Sequence, residues 1–587
     1  MLQKTEHNNV SKKQPVAIIG MSGVFPESDS IEQFWEKLEN QDQLIKVIPD
    51  DHDPKRTIQP KRGAFVKNLQ GFDAKLFHII GKEAKYMTPQ QRKLLQSVWH
   101  LFEDACILPS SLKDKKVAVI VGKEVNPYME YLTKAPITAY SCLGMAQTYL
   151  PNRISNYFNL KGPSYCINTS CSSGLTALHH GKKMLQSGEV DYAIVAGVSL
   201  VYGEEWTRSF FGGSQSMGLM STTEDGGIPF QDNASGFTPS EGVVSLLLKR
   251  NEEAENDNDN IHALVIGSES SHVGGSGNIA FPDSGQQSKA IVAAYEEANI
   301  DPKTVTHIEA HAAAAILADS QEIKAFKLAD KHFGKALSDA NTPPCKISSL
   351  KPNIGHMHAA SGLASVIRLV YSFKAQKKLG IKDFKTLSPE IKLDKTRYYI
   401  SAETENWPRL IDDKKQEIPR RGAVNNSGGG GNVIHTILQE YIPKENNTKN
   451  EEEKEAAYFL ALSCVEASQF LPYAERIKTF LTKHNDCNPK QLEYQYLTSR
   501  KELSQRIVFR YKNIENLIEK LNKFIESKGK RGYYVNGNHK KELSLNEIFL
   551  KNGKVVDFLN ELSDTQDKSF LFDLWTKGYE TPIHKYF

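Results

Sequence analysis

The chain of 587 residues exceeds one ordinary domain, and its length predicts about two to four domains unless one large α/β unit takes most of it. Its 73 Lys and Arg nearly balance its 70 Asp and Glu, so we expect no nucleic-acid partner. The sequence has neither a run of about 20 apolar residues nor an apolar leader, which predicts a cytoplasmic protein without membrane segments. Seven cysteines without a C-x-x-C pair argue against a disulfide framework, and we predict no metal site.

Short apolar, β-branched runs alternate with longer helical stretches between residues 16 and 440, which indicates an α/β architecture. Buried strands are predicted in VAIIGMSG, KVAVIVG, DYAIVAGVSLV, ALVIGSES, VTHIEAHA and VIHTILQEY. Long helices are predicted in PQQRKLLQSVWHLFEDA and SGLTALHHGKKMLQSG. The order of these elements predicts two successive α/β halves.

Changes in composition divide the chain into four segments. Residues 1–15 are expected to be disordered or a linker, and residues 16–440 to be the main domain. Residues 441–456 lose apolar periodicity and gain charge, which predicts a connector. Amphipathic helices and the strand QRIVFRY predict a small α/β subdomain over residues 457–587, with packing and spacing as its expected roles.

The best nucleophile candidate is Cys171, in GPSYCINTSCSSGLTALHH. It stands between a predicted strand and a helix that begins among Ser172, Ser173 and Gly174. The free amides and the dipole at a helix N-terminus favour a thiolate, so we expect a lowered thiol pKa. Cys166, inside the strand, is expected to be structural.

A glycine run in NNSGGGGNVIH, residues 425–435, offers backbone amides that no side chain obstructs. Gly428, Gly429 and Gly430 are therefore candidate donors for an oxyanion that develops beside a nucleophile. A phosphate loop and a plain turn are the alternatives, and the absence of a following Lys-Ser/Thr argues against the phosphate loop.

Two histidines have positions that suit catalysis. His311 ends a predicted strand, and His356 lies in a predicted tight loop ahead of a helix. Neutral imidazoles in a dry pocket can polarise a carbonyl or a carboxylate, although either ring alone could also be a core histidine. His358, two positions further on, is expected to be structural.

Six segments together resemble the ketosynthase domains of modular polyketide synthases, which are thiolase-like condensing enzymes. In chain order these segments are VAIIGMSGVFPESDSIEQFWEKL, MTPQQRKLLQSVWHLFEDA, NRISNYFNLKGPSYCINTSCSSG, GFTPSEGVVSLLLK, EAHAAAAILADSQEI and KPNIGHMHAASGLASVIRLV. The resemblance implies a thiolase-like fold of two related α/β halves, layered α-β-α-β-α. The tail resembles the flanking linker subdomain of synthases that lack a built-in acyltransferase.

The resemblance also implies roles for single residues. Cys171 would accept an acyl chain from an acyl carrier protein, and His311 and His356 would support decarboxylation of a malonyl-type extender. Lys351 would set the electrostatics of the site. Substrates would arrive on phosphopantetheine arms, with no bound cofactor and with a trans-acting acyltransferase as an indirect partner. The resemblance further implies a homodimer formed through residues 164–170.

The chain departs from the family pattern after His311, where relatives have His-Gly-Thr-Gly-Thr. Here the following residues are Ala312, Ala313, Ala314 and Ala315. Ala313 and Ala315 replace threonines that are expected to hydrogen-bond the phosphopantetheine arm. Because alanine disfavours positive φ, the two Gly-to-Ala changes predict a reshaped loop.

A second departure is in the glycine run, where the family reads Ser-Phe-Gly-x-Gly-Gly. The aromatic position holds Ser427 in this chain, which predicts extra volume and a more mobile loop. These changes leave three functions open: an active condensing domain, a non-elongating ketosynthase that only transfers the acyl chain, and a catalytically silent module that docks carriers. Retention of the cysteine and both histidines favours the first.

Overall fold

The computed structural model carries side chains and describes residues 14–49, 62–201, 204–221, 223, 226–275, 282–334, 342–444, 457–529, 572, 575 and 576. The predicted N-terminal linker, most of the charged connector and most of the tail after residue 529 lie outside these described residues. Among the described residues, no helix has the length and apolarity that crossing a membrane requires.

The described strands include every strand that the apolar runs predict. In chain order they are β1 (Val16–Val24), β2 (Lys46–Val47), β3 (Arg62–Gly63), β4 (Val117–Lys123), β5 (Ser164–Ile167), β6 (Tyr192–Ser199), β7 (Gly242–Arg250), β8 (Ala263–His272), β9 (Val305–Glu309), β10 (Cys345–Ser348), β11 (Lys377–Lys378), β12 (Tyr398–Tyr399), β13 (Glu405–Asn406), β14 (Leu410–Ile411), β15 (Glu417–Ile418), β16 (Arg421–Ser427), β17 (Asn432–Gln439), β18 (Tyr458–Cys464) and β19 (Gln505–Tyr511).

The helices of the described residues fall between these strands, and the two long predicted helices correspond to α3 and α7. In chain order the helices are α1 (Ile31–Glu39), α2 (Gly81–Ala84), α3 (Pro89–Asp104), α4 (Met129–Leu132), α5 (Ser141–Met145), α6 (Tyr149–Tyr157), α7 (Ser173–Gln186), α8 (Glu204–Ser216), α9 (Asn251–Asn256), α10 (Ser284–Ala298), α11 (Ile316–Phe333), α12 (Lys351–Ile354), α13 (Ser361–Ala375), α14 (Phe470–Lys483), α15 (Pro489–Thr498) and α16 (Ile514–Glu526).

Within the described residues, eleven strands form one sheet in the order β12-β10-β9-β16-β17-β8-β1-β7-β6-β4-β5. Two halves meet where β1 pairs with β8 in an antiparallel manner. Outward from this contact, the first half reads β1-β7-β6-β4-β5 and the second reads β8-β17-β16-β9-β10. In both halves, the first two neighbouring pairs are antiparallel and the next two are parallel. The prediction of two related α/β halves is confirmed.

Helices form three layers around the two halves of the sheet. Helix α3 packs on β1 and β7, and α10 packs on β8 and β17. Between them, α7 packs on β4 and β6, while α13 contacts both α7 and β16. The two inner helices contribute buried Leu175, Leu178, Leu363 and Val366 to the main apolar core. This arrangement is the predicted α-β-α-β-α layering.

A second compact unit contains the described residues after Pro443, together with Lys75–His78 and Cys106–Leu108. Its antiparallel pair β18–β19 packs with α14, α15 and α16 around an apolar cluster of its own. On the other face of this pair, Phe572 stacks on Phe459 with ring centroids 4.3 Å apart. The domain end predicted at residue 440 lies close to the observed end at Pro443. The two short segments from earlier in the chain were not predicted.

Candidate active site

Cys171 lies in the turn between β5 and α7, directly before the first turn of that helix. In this turn Ser170 has a positive φ of 56°. The hydroxyl of Ser172 donates to the carbonyl oxygen of Thr169 at 2.7 Å, and the hydroxyl of Ser173 donates to that of Ser170 at 2.5 Å. These local bonds satisfy the backbone of the turn and fix the sulfur at the start of α7.

The first turn of α7 lies against the segment that follows the second candidate histidine. A Cβ on Gly174 would lie 2.5 Å from the carbonyl oxygen of Ala359, so only glycine permits this approach. The glycine therefore determines how closely the nucleophile approaches the histidine loop.

The surroundings of Cys171 keep it protonated. Burial, followed by the Glu124 carboxylate, raises the pKa of the Cys171 thiol, whereas a hydrogen bond from Ser170 and the charge of Lys351 lower it. Desolvation penalises the thiolate and outweighs the partial charge of a helix N-terminus. The expectation of a lowered pKa is therefore wrong. A nucleophilic attack by this thiol needs a base that accepts its proton.

His311 follows the end of β9, and its position is fixed on two sides. The Glu322 carboxylate accepts the backbone amides of His311 and Ala312 at 2.7 and 2.8 Å. The ring Nδ1 of His311 lies 3.1 Å from Oδ1 of Asn426, whose amide group donates to Ser361 Oγ at 3.2 Å. Because an amide oxygen can only accept, Nδ1 carries the proton and Nε2 keeps a lone pair.

His356 follows α12 in the predicted tight loop, where Gly355 has a φ of 71°. Its backbone amide donates to the carbonyl oxygen of Thr238 at 2.7 Å, and its ring meets the edge of Phe237. The ring centroids of His356 and His311 lie 5.3 Å apart, with an angle of 84° between the ring planes. The structure thus brings together the two histidines that the sequence singled out.

Both imidazoles are neutral. Burial lowers the pKa of His311 and of His356 well below the usual value, and the nearby charge of Lys351 lowers both further. A neutral imidazole can accept a thiol proton or donate one N–H to a carbonyl oxygen. These directions agree with the sequence-based expectation of neutral rings in a dry pocket.

Lys351 is buried and donates from Nζ to the carbonyl oxygen of His311. Burial lowers the pKa of Lys351 to about 8, although Glu322, Cys171 and Asp319 act to raise it. Its charge acts on the nucleophile and on both histidines. The predicted role of Lys351 in setting the electrostatics of the site remains a prediction, and these interactions support it.

The alanine loop after His311 has a left-handed backbone at two of its alanines, although alanine disfavours positive φ. Ala312 has a φ of 47° and Ala314 a φ of 57°. The carbonyl oxygen of Ala314 accepts the Gly236 amide at 2.7 Å, and all four alanines are buried. The surrounding bonds therefore hold a conformation that costs roughly 1 to 2 kcal/mol per non-glycine residue. The effect of Ala313 and Ala315 on arm binding remains a prediction.

The glycine run forms the turn between β16 and β17, against the segment before the nucleophile. A Cβ on Gly428 would lie 2.1 Å from the carbonyl oxygen of Thr169. The Gly428 amide donates within the turn to the carbonyl oxygen of Asn432 at 2.8 Å, so it is already used. The predicted oxyanion donors are thereby reduced to Gly429 and Gly430.

A third histidine, His358, lies at the nucleophile, although it was expected to be structural. Sγ of Cys171 and one ring nitrogen each from His356 and His358 all lie within 4.8 Å of one another. The His358 ring stacks on that of His356 at 4.9 Å, and its Nδ1 lies 3.7 Å from the Glu124 carboxylate. Glu124 directly follows β4, at the same end of the parallel strands as Cys171. This position after a strand is the sequence feature by which Glu124 could have been predicted as a site residue. One thiol sulfur and two imidazole nitrogens are ligands that zinc prefers. The sequence predicts no metal site, and the absence of a metal remains a prediction.

Two family models match the chain, and the chain belongs to the β-ketoacyl synthase family. The N-terminal domain model of this family matches residues 13–254, and the C-terminal domain model matches residues 262–379. Among curated relatives, polyketide synthases PksN and PksR of Bacillus subtilis are each 31% identical over 97% of this chain. The chain spans only 11% and 22% of the lengths of these two relatives.

Solved structures show the same fold along nearly the whole chain. The ketosynthase from module 6 of the bacillaene synthase of Bacillus subtilis superposes with a TM-score of 0.85 at 28% identity, covering 98% of this chain and 96% of that one. An oxazolomycin ketosynthase domain from Streptomyces albus superposes with a TM-score of 0.81 at 26% identity, covering 90% and 91%. The chain therefore has the thiolase-like fold of a ketosynthase domain.

Proposed function

We propose that this chain is a polyketide synthase ketosynthase that loads an acyl chain from an acyl carrier protein onto Cys171 and condenses it with a malonyl-type extender. The observation that carries this proposal is a chain of contacts from distant parts of the sequence: a ring nitrogen of His356 lies within 4.8 Å of the Cys171 sulfur, and the His311 ring centroid lies 5.3 Å from that of His356. The sequence similarity to polyketide synthases supports carrier-bound acyl thioesters as the class of substrate.

In the first step, the Cys171 sulfur attacks the thioester carbonyl of the carrier-bound acyl chain. A neutral imidazole, from His311 or His356, accepts the thiol proton. The bond to the sulfur of the phosphopantetheine arm then breaks, and that sulfur leaves with the proton. Since either ring can accept the proton, loss of one ring leaves loading in place.

In the second step, a malonyl group on a second carrier loses CO2. Charge builds on its thioester oxygen, where the N–H of the neutral His356 ring stabilises it. The electron pair freed from the broken C–C bond attacks the acyl carbonyl on Cys171 and forms the new C–C bond. The cysteine sulfur leaves and takes up a proton. Both rings take part in this step, His356 through its N–H and His311 through the lone pair on Nε2.

The partners follow from this chemistry. The chain would bind two acyl carrier proteins in turn, and a trans-acting acyltransferase would charge the extender carrier. No bound cofactor is needed, because the phosphopantetheine arm arrives on the carrier. Ala313 and Ala315 offer methyl groups where the family has hydroxyls, so we expect the arm to be held by other contacts.

A homodimer is the proposed assembly. Strand β5 is the outermost strand at one edge of the sheet, and one side of its backbone pairs with no other strand among the described residues. An edge strand of this kind favours pairing with a second copy of the chain. Light scattering on the purified protein should give twice the mass of one chain, whereas the mass of a single chain would contradict the dimer.

The second candidate is a non-elongating ketosynthase, which would stop after loading. The missing hydroxyls at Ala313 and Ala315 and the missing aromatic at Ser427 favour it, because each changes the pocket where the extender arm would lie. A silent carrier-docking module is the third candidate. The pairing of Asn426 with His311 favours extension, since it holds a second ring that loading alone does not require.

Intact-protein mass spectrometry tests the loading step. Wild-type protein treated with an acyl pantetheine thioester should gain one acyl mass, and Cys171→Ala should gain none. Cys166→Ala is the matched control, because Cys166 lies in the preceding strand with Sγ donating to a carbonyl oxygen at 3.4 Å, and it should load normally. Acylation of Cys171→Ala, or none of the wild type, would contradict the proposal.

A further inference from the structure

Beside Glu124 and His358 is a small cavity that is lined by polar as well as apolar residues. Val125, Val198 and Phe211 line it together with Glu124 and His358. A hydrocarbon group in this cavity would leave both ring nitrogens of His358 without hydrogen-bond partners, at a cost in free energy. Their presence indicates that an occupant of the cavity carries polar atoms of its own.

His358 is held rigidly with its hydrogen-bonding capacity unused. Its side chain is 5% exposed, and neither Nδ1 nor Nε2 has a hydrogen-bond partner among the described residues. The rings of His356, Phe210 and Phe237 surround it at centroid distances of 4.9, 5.7 and 5.4 Å. Ring stacking cannot satisfy the nitrogens, so a buried donor and acceptor remain available.

Glu124 completes a polar pair with His358. One carboxylate oxygen accepts the Ser170 hydroxyl at 3.0 Å, and the other lies 3.7 Å from Nδ1 of His358. The second separation is too long for a hydrogen bond, so neither group satisfies the other. An atom group that both donates and accepts would bond to both at once, and a hydroxyl does so.

We propose that the acyl chain selected by this site carries a hydroxyl group on its β-carbon, which donates to Glu124 and accepts from His358. The inference rests on the proposed loading of Cys171 and names its substrate class. In this proposal His358 and Glu124 determine which acyl chain is selected, and neither takes part in forming or breaking bonds.

The position of the hydroxyl follows from its reach. A β-hydroxyl oxygen stands four bonds from the cysteine sulfur, which spans roughly 4 to 5 Å at ordinary bond lengths. The separation between Sγ of Cys171 and a His358 ring nitrogen is at most 4.8 Å. An oxygen at this distance from the sulfur can therefore come within hydrogen-bonding distance of that nitrogen.

A competition for loading tests the proposal. Wild-type protein is offered butyryl and 3-hydroxybutyryl pantetheine thioesters, and the rate of adduct formation on Cys171 is followed by mass spectrometry. We expect a preference for the hydroxylated chain of roughly 10- to 100-fold, since two buried hydrogen bonds are gained. His358→Leu should reduce the preference to near unity by lowering the rate for the hydroxylated chain alone.

Two further variants keep the result interpretable. Val198→Ala changes the size of the same cavity without altering its polar groups, and it should retain the preference. Glu124→Gln keeps a hydrogen-bonding group and should lose only part of the preference, which provides a second test should His358→Leu fail to fold.

Equal loading of both chains by the wild type, or an unchanged preference in folded His358→Leu and Glu124→Gln, would overturn the assignment and leave the proposed loading function standing. Loading of neither chain by folded wild-type protein would overturn the proposed function, and this inference with it.

Discussion

Asn426 Oδ1 accepts a hydrogen bond from His311 Nδ1 at 3.1 Å, across a gap of more than a hundred residues in sequence. The contact joins the end of β9 to the end of the adjacent strand β16. It fixes which nitrogen of His311 carries the proton, and it leaves Nε2 available at the site. The chemistry of the ring is therefore determined by a residue that touches no substrate.

Removal of that acceptor should impair extension more than loading. Asn426→Leu keeps the volume and leaves Nδ1 without a partner, so we expect the rate of extension to fall about 10- to 100-fold. Loading should change little, because His356 can still accept the thiol proton. Single-turnover measurements of the two steps check this. Ser427→Ala, at the next position of β16, is the control and should change neither step; equal loss of both steps in Asn426→Leu would contradict the assignment.

The left-handed alanines predict an increase in stability on substitution by glycine. At Ala314, with a φ of 57°, glycine relieves the backbone strain, and we expect Ala314→Gly to raise the free energy of unfolding by about 1 kcal/mol. Ala313 does not have a positive φ, so Ala313→Gly should lower it by roughly 0.5 to 1 kcal/mol. Urea denaturation measures both, and equal effects at the two positions would count against the described backbone.

Two glycines in one turn should respond in opposite ways to a methyl group. A Cβ on Gly428 meets the Thr169 carbonyl oxygen, whereas a Cβ on Gly430 meets nothing within 4 Å. Gly428→Ala should displace the turn that carries Cys171 and slow loading about 100-fold, the usual effect of a misplacement of about 1 Å. Gly430→Ala should load at the wild-type rate. Loading assays on both variants decide the point, and a normal rate in Gly428→Ala would refute the close approach.

Asp319 predicts a pH-dependent stability. Burial raises its pKa to about 7, above an unfolded value of about 3.9, so the folded protein binds the extra proton between these values. Stability from this group is complete below about pH 4 and is lost as the pH rises through 7.

Asp319→Asn removes this dependence, because an amide does not ionise and its oxygen can still accept the Phe230 amide at 2.9 Å. The gain in unfolding free energy of this variant over the wild type should be largest at pH 8 and should shrink toward pH 4. Urea denaturation at pH 5, 6, 7 and 8 measures the gain. Asp114→Asn, at a side chain that is 85% exposed, should show no such trend. A constant gain for Asp319→Asn would contradict the raised pKa.

Local patterns identified the candidate residues of the site. Cys171 between a strand and a helix start, and His311 and His356 in loops after a strand and before a helix, were visible because motif spacing reflects the order of elements along the chain. The repeated βα pattern predicted the two halves for the same reason. The pairing order within the sheet was not predictable, since it depends on contacts between segments far apart in sequence.

Properties that depend on three-dimensional surroundings were missed or wrong. A lowered pKa of Cys171 was inferred from the helix N-terminus alone. Burial and the Glu124 carboxylate instead raise this pKa. The left-handed Ala312 and Ala314 contradict a local preference, because the Ala312 amide donates to the Glu322 carboxylate and the Ala314 carbonyl oxygen accepts the Gly236 amide, and these bonds hold the conformation. His358 acquires its place at the nucleophile through the close approach of α7, which no local pattern encodes.

The extension step tests the central claim most directly. Protein acylated at Cys171 is mixed with a malonyl carrier protein, and the carrier is analysed by intact mass spectrometry for wild type, His311→Ala and His356→Ala. We predict an extended β-ketoacyl carrier with the wild type, and loading without extension in both folded histidine variants. An acylated wild type that never extends the carrier, or loss of loading in both histidine variants, would contradict the condensing mechanism.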